Sequence, residues 1–121
     1  MNILIADDDP MTRKILEKTI QKGGHKVVSA SNSSDALSRL QNENFTVVLI
    51  DIYMPGMDGI GLISVIRNEL NNNVPIGVIT RDKSEEMVLK AFEAGADDFI
   101  LKPFDMDDLQ RRIIKLAAKN E

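Results

Sequence analysis

Four apolar residues, Val47-Val48-Leu49-Ile50, run without alternation into a single carboxylate, Asp51. A strand with no polar face is covered on both sides, the pattern of a central strand in a parallel sheet sandwiched between helices. Pro55, Gly56, Asp58 and Gly59 then enforce a loop, so Asp51 stands where a buried strand stops and a turn begins. Open parallel sheets gather their ligands at the carboxyl ends of strands, which makes Asp51 the first residue to examine for chemistry. An aspartate after a strand often only caps the next helix. Here that helix starts near Gly59, with Asp58 the better cap, so Asp51 needs another explanation.

The alternation continues along the chain. Ile3-Leu4-Ile5-Ala6 ends in Asp7-Asp8-Asp9, and Pro10 suits the first turn of a helix striped by Met11, Ile15, Leu16, Thr19 and Ile20 up to Gly23-Gly24. The run from His25 to Ala30 is half-polar, as an edge strand should be, with His25 a polar residue entering it. Asn32 or Ser33 caps a helix bearing Ala36, Leu37 and Leu40; the helix after Asp51 carries Leu62, Ile63, Ile66 and Leu70 until Asn71-Asn72-Asn73. Ile76-Gly77-Val78-Ile79 closes on Thr80, and Gly77 inside it marks the close approach of a neighbouring helix. Asp82 with Glu85 resembles a capping box for a helix whose apolar face is Met87, Val88, Ala91 and Phe92, ended by Gly95. Asp98-Phe99-Ile100-Leu101 reads as a last buried strand stopped by Lys102-Pro103, and Asp105 with Asp108 opens a helix striped by Leu109, Ile113, Leu116 and Ala117. Met11 and Met87 are expected in the core. Arg111, Arg112 and Lys115 are expected to be exposed, as a solvated face or a charged interface.

Five strand–helix alternations call for an α/β fold, a parallel sheet with helices on both faces, and residues 1–121 read as one domain without linker or repeat. Right-handed crossovers bring all strand carboxyl ends to one rim. That rim receives Asp7, Asp8 and Asp9, then Asp51, Thr80 and Lys102. A net charge of −4 and an aromatic content of 4% offer neither a basic field nor stacking platforms, so nucleic acid is not an expected ligand. The absence of cysteine removes disulfides, thiolate metal sites and thiol catalysis. No apolar run approaches spanning length, and Met1-Asn2-Ile3 enters a strand without a signal-peptide n-region; the expectation is a cytoplasmic chain with no membrane contact.

Clustered carboxylates repel, by roughly 3 kcal/mol for each pair about 5 Å apart at an effective dielectric near 20. A hard cation with oxygen ligands relieves this, and Mg²⁺ suits two or three carboxylates plus waters. Asp51 is then expected to act as a nucleophile toward phosphorus, with Lys102 holding phosphoryl oxygens and Thr80 donating a hydrogen bond. Each residue also has a structural alternative. Asp9, before Pro10, suits the cap of the first helix; Thr80 suits a hydroxyl satisfying a turn; Lys102 suits a solvated surface lysine, though its place at a strand end before Pro103 argues otherwise.

Together these residues resemble the receiver domain of two-component response regulators, the family of the chemotaxis receiver. The resemblance rests on Asp7-Asp8 after the first strand, Asp51 followed by Met54-Pro55-Gly56-Met57-Asp58-Gly59, Thr80 after the fourth strand, and Lys102-Pro103-Phe104 after the fifth. It implies a flavodoxin-like, five-stranded parallel sheet of order 2-1-3-4-5. It implies that Asp51 takes phosphate from a sensor histidine kinase, a phosphotransfer protein or a small donor such as acetyl phosphate. Asp8, Asp51 and the Tyr53 carbonyl would bind Mg²⁺ directly, with Asp7 acting through water. Lys102 would pair with the phosphoryl group, the Lys102–Pro103 bond would be cis, Thr80 would move toward that group, and Phe99 would turn inward. The face of the fourth helix, fifth strand and fifth helix would then change its affinity for an output partner or domain, with the chain a monomer or a phosphorylation-dependent dimer.

Two positions depart from or modulate that pattern. Arg81 follows the switch threonine where the family usually has a small residue, and is expected to alter phosphoryl lifetime if it does not simply point to solvent. Tyr53, two residues past Asp51, is expected to cover the site. A rival reading is a haloacid-dehalogenase-like, Mg²⁺-dependent phosphohydrolase with Asp7 as nucleophile, for which Asp7-x-Asp9 fits but Met11 and the order of Asp97-Asp98 and Lys102 do not. A flavin module would need a hydroxyl- and glycine-rich phosphate loop where the acids stand.

Overall fold

Each apolar run forms a strand: β1 (Asn2–Ala6), β2 (Lys26–Ala30), β3 (Val47–Ile50), β4 (Ile76–Thr80) and β5 (Asp98–Leu101). Between and after them lie α1 (Pro10–Lys22), α2 (Ser33–Asn42), α3 (Gly59–Asn68), α4 (Glu85–Ala94) and α5 (Met106–Ala118). The computed structural model describes residues 1–119. All pairings are parallel and the sheet order is β2-β1-β3-β4-β5, as the family resemblance implies.

Because side chains alternate across a strand, the sheet divides its apolar residues between two cores. Leu4, Val48, Ile50 and Val78 face α2, α3 and α4, meeting Ala36, Leu62, Ile63, Ile66 and Ala91. Ile3, Ile5, Leu49 and Ile79 face α1 and α5, meeting Leu16, Ile20, Leu109, Ile113 and Leu116. β3 and β4 are buried along their whole length, which explains their unbroken apolar runs. Gly77 lets α5 lie close against β4: a Cβ there would sit 3.1 Å from Leu116 Cδ1 and 3.0 Å from Leu49 Cδ2.

Asp9, Asn32, Asp58 and Asp105 cap α1, α2, α3 and α5, each side chain accepting from a main-chain N–H of the first turn. The fourth helix departs from expectation. Its cap is Ser84, accepting from Met87 N, and Asp82 takes no part in a capping box with Glu85 because the helix begins at Glu85 itself. Met11 is not in the core. It is 71% exposed, because α1 turns only Leu16, Thr19 and Ile20 fully inward, and Ile15 is exposed beside it. Met87 does pack against the core, whereas Phe92 points outward on α4. Lys102 follows a strand that is not buried throughout: β5 is an edge with β4 as its single strand neighbour, only Ile100 is fully covered, and Leu101 is exposed. Arg112 is half-buried rather than free, its guanidinium donating to Asp98 at 2.8 Å and to Asp108 at 2.9 Å. His25 lies just before the edge strand β2, partly covered, and burial holds its pKa below the ordinary value.

Candidate functional site

Strand pairing runs one residue past the ends of the strands and so fixes the rim. Asp7 N donates to Ala30 O at 3.1 Å, Asp51 N to Ala6 O at 2.9 Å and Lys102 N to Thr80 O at 2.8 Å. Three side chains from distant parts of the chain are thereby aimed at one point. Lys102 Nζ donates to Asp7 Oδ2 at 2.9 Å and to Asp51 Oδ2 at 3.1 Å. The carboxylates of Asp7, Asp8 and Asp51 each offer an oxygen within 4.8 Å of the others.

The acids differ in accessibility. Asp7 is 1% exposed and also accepts from Asp9 N at 2.9 Å, while Arg13 donates to its carbonyl at 2.7 Å. Asp8 is exposed, and Asp51 lies between the two extremes. Asp9 is occupied by its capping role, accepting from Met11 N at 3.3 Å and from Thr12 Oγ1 at 2.6 Å; the Thr12 bond holds its pKa low. Burial raises the pKa of Asp51, and Asp7 adds to this, while the charge of Lys102 opposes it. For Lys102, burial disfavours the ammonium, yet the hydrogen bond to Asp7 and the charges of Asp51 and Asp7 prevail and raise its pKa. Against the three clustered carboxylates stands the half-buried ammonium of Lys102, and the carboxylates form an all-oxygen donor set that suits a hard cation.

Asp51 opens onto a cavity of about 370 Å³ lined by Asp8, Asp9, Thr12, Tyr53, Thr80, Arg81 and Lys102. Thr80 is fully buried, and its hydroxyl accepts from Asp82 N at 3.3 Å, the turn-satisfying role weighed from sequence. Tyr53 N donates to Asp51 Oδ1 at 3.2 Å, and the residue, 55% exposed, lines the cavity and donates its hydroxyl to Asp82. That bond raises the pKa of the phenol and lowers that of Asp82. Arg81 is exposed and lines both this cavity and a smaller apolar one of about 250 Å³ beside Ile15, Phe104 and Met106. Phe99 is half-buried against the α3–α4 core, and the Lys102–Pro103 bond is cis. Behind Asp51, Gly59 N donates to Ile52 O at 2.7 Å, and a Cβ on Gly59 would lie 2.7 Å from Ile52 Cα. Only glycine lets the loop fold back so tightly on the strand end.

The structure thus brings together Asp7, Asp8, Asp51, Tyr53, Thr80, Arg81 and Lys102, and leaves Phe99 outside the cavity lining. Asp82 and Thr12 were not among the expected site residues. Thr12 enters from the first turn of α1, beside its cap Asp9, and Asp82 through a contact between two loops, which no periodicity reports.

The family model for the response regulator receiver domain matches residues 3–114. The chain belongs to that family. Among curated relatives, a probable transcriptional regulator ycf27 of Cyanophora paradoxa is 34% identical over 98% of this chain and 49% of its own length. The transcriptional regulatory protein ZraR of Salmonella typhimurium is 36% identical over 98% of this chain and 26% of its own length. The chain therefore spans about half, or less, of these relatives. Among solved structures, the receiver domain of a Francisella response regulator superposes with a TM-score of 0.92 at 29% identity, covering 99% of this chain and 98% of that one. The Thermotoga maritima response regulator TrrA, solved in complex with Mg²⁺-BeF, gives a TM-score of 0.85 at 30% identity, covering 95% and 97%.

This receiver is a signalling domain of two-component systems rather than a classical enzyme. The match does not favour the haloacid-dehalogenase alternative, and the geometry agrees, since its nucleophile Asp7 is buried and committed to Lys102 and Asp9 N. Among the described residues no helix is long and apolar enough to cross a membrane.

Proposed function

We propose that this receiver is a phosphorylation-dependent switch whose acceptor is Asp51. The observation that carries the reading is the position of its carboxylate, bonded to Lys102 on one side and open to the cavity on the other. A phosphohistidine of a sensor kinase or phosphotransfer protein, or acetyl phosphate, is the donor. One Asp51 oxygen bonds to phosphorus as the bond to the leaving imidazole or acetate breaks, giving an acyl phosphate. Lys102 holds phosphoryl oxygens as an ammonium, and Asp7, through its bond to Lys102, keeps that ammonium in place.

Mg²⁺, when bound, supplies charge neutralisation for the phosphoryl oxygens. Asp8, Asp51 and the Tyr53 carbonyl are its proposed protein ligands, with Asp7 acting through water. Thr80 and Phe99 are the proposed switch residues. The output face is formed by α4, β5 and α5, on which Leu89, Phe92 and Leu101 are exposed, and it engages a partner or a further domain. The chain acts in the cytoplasm as one domain over residues 1–121, of which Asn120 and Glu121 lie outside the described residues; it does not itself bind nucleic acid. It works as a monomer or as a phosphorylation-dependent dimer.

Mass spectrometry after acetyl phosphate treatment with Mg²⁺, trapping the acyl phosphate by borohydride reduction, tests the assignment. The modification is expected on Asp51; modification of Asp7 instead would overturn it.

A further inference from the structure

Tyr53, which lines the cavity, makes a contact that neither the metal site nor the acceptor requires. Tyr53, in the loop after β3, donates its hydroxyl to Asp82, in the loop after β4, across 29 residues of sequence. Both ends of the bridge are tied into the site. Tyr53 N donates to Asp51 Oδ1 at 3.2 Å. Asp82 N donates to the Thr80 hydroxyl at 3.3 Å, and Asp82 Oδ1 accepts from Ser84 N at 2.9 Å, the cap of α4. A continuous chain of hydrogen bonds therefore runs from Asp51 through Tyr53 and Asp82 to Thr80 and the start of α4.

We infer that Tyr53 and Asp82 are positioning residues forming a clasp, which holds the loop between β4 and α4 in its resting arrangement and so sets how readily the site responds to a phosphoryl group. The inference rests on Asp51 being the acceptor. For Thr80, the last residue of β4, to turn toward a new dianion, its hydroxyl must leave Asp82 N in the loop that follows. Asp82 is the part of that loop anchored to Tyr53, and its N–H occupies the hydroxyl that has to be redirected. A phenol donating to a carboxylate is a charge-assisted bond, stronger than a neutral one. Its release is a cost charged against every activation event and absent once the clasp is cut. Two states of the loop, with the clasp favouring one, form the element on which an added dianion can act.

The chain contains one tyrosine and no tryptophan, so Tyr53 reports on its own contact. The test is a double-mutant cycle of Tyr53→Phe, Asp82→Asn and the double variant, read by titration with beryllofluoride in the presence of Mg²⁺. Each single variant is expected to bind about threefold to tenfold more tightly than the parent, and the double variant no more tightly than either. Tyrosine emission, quenched by a carboxylate acceptor, should rise in Asp82→Asn at constant pH. Unchanged or weaker binding in the single variants, or fully additive gains, would overturn the clasp. If the parent binds no beryllofluoride, or if Asp51→Asn binds it equally well, it is the acceptor reading that fails, and the gating role with it; the emission change then decides only whether the contact itself forms.

Discussion

The two rims of the sheet use the same ingredients for opposite ends. At the amino rim, Arg67 of α3 is partly buried beside Asp97, as Lys102 is beside Asp7 and Asp51 at the carboxyl rim. The Arg67 guanidinium donates to Gly95 O at 3.1 and 2.9 Å, to Asn72 O at 2.9 Å, to Val74 O at 2.7 Å and to Asp97 at 3.0 Å. Asp97 in turn accepts from Ile76 N at 2.9 Å and pairs with Lys119. The carbonyls that lead into β4 and β5 are thereby gathered around one cation. Burial lowers the pKa of Arg67 while Asp97 opposes the change, and an arginine stays charged throughout. The amino rim is a closed clamp. At the carboxyl rim the acids outnumber the ammonium, burial raises the pKa of Asp51, and the excess faces a cavity. A cation saturated with acceptors holds loops together, whereas acids in excess of their one ammonium leave negative charge for something else to bind.

That contrast is open to test, and the largest effect is expected at the proposed acceptor, Asp51. Asp51→Asn should lose phosphoryl incorporation from acetyl phosphate by on the order of 10³-fold or more while remaining folded. Label carried as readily as in the parent would erase the functional side of the comparison. Arg67→Met should act the other way round. Leaving Asp97 and several carbonyls without their partner should cost about 3 kcal/mol in denaturant unfolding, with phosphorylation retained in the folded fraction. A loss of labelling without a loss of stability would show that the two rims are not separable.

A smaller effect concerns the folding cost of the reactive rim. The pKa of Asp51 is raised above the ordinary 3.8 on folding, so its contribution to stability is present below that value and is lost as the pH rises. Without Mg²⁺, Asp51→Asn should therefore be more stable than the parent at neutral pH. The gap should close as the pH falls toward 4, and thermal melts at several pH values would read it. A variant less stable than the parent at pH 7 would mean that the bond from Lys102 outweighs burial. The smallest effect is expected at Arg81, which lines the cavity from an exposed position. Arg81→Ala should shorten the phosphoryl lifetime by about twofold to fivefold through easier water access. Equal hydrolysis rates would remove Arg81 from the site.

The contrast also shows what the sequence could convey. Buried strands announce themselves because β3 and β4 have no solvent face, and residues at their ends, Asp51 and Thr80, are legible as rim residues once the strands are parallel. Strand order was not legible from periodicity and came with the family resemblance. Helix phase was less secure than helix existence. Met11 and Phe92 lie at helical spacing from core residues, yet each falls just outside the arc that meets the sheet. The edge character of β5 was hidden because Phe99, Ile100 and Leu101 are all apolar, although only Ile100 is fully covered. Contacts between loops were the least accessible. Asp82 reads as a helix cap in one dimension, and its bond to Tyr53 exists only where two crossovers bring their loops together. The Arg67 clamp was missed for the same reason, since its acceptors are backbone carbonyls, which carry no residue signature.

Gly59 gives the reactive rim a mechanical asymmetry. The loop behind Asp51 is folded so tightly that even one methyl group would collide with the main chain of Ile52. That wall has no slack, so on the proposed reading of Asp51 as acceptor the loop behind it has no room to recoil when bulk and charge are added. On that reading the displacement falls to the opposite wall, where Thr80 and Arg81 line the cavity. The molecule thus behaves as an anvil facing a spring.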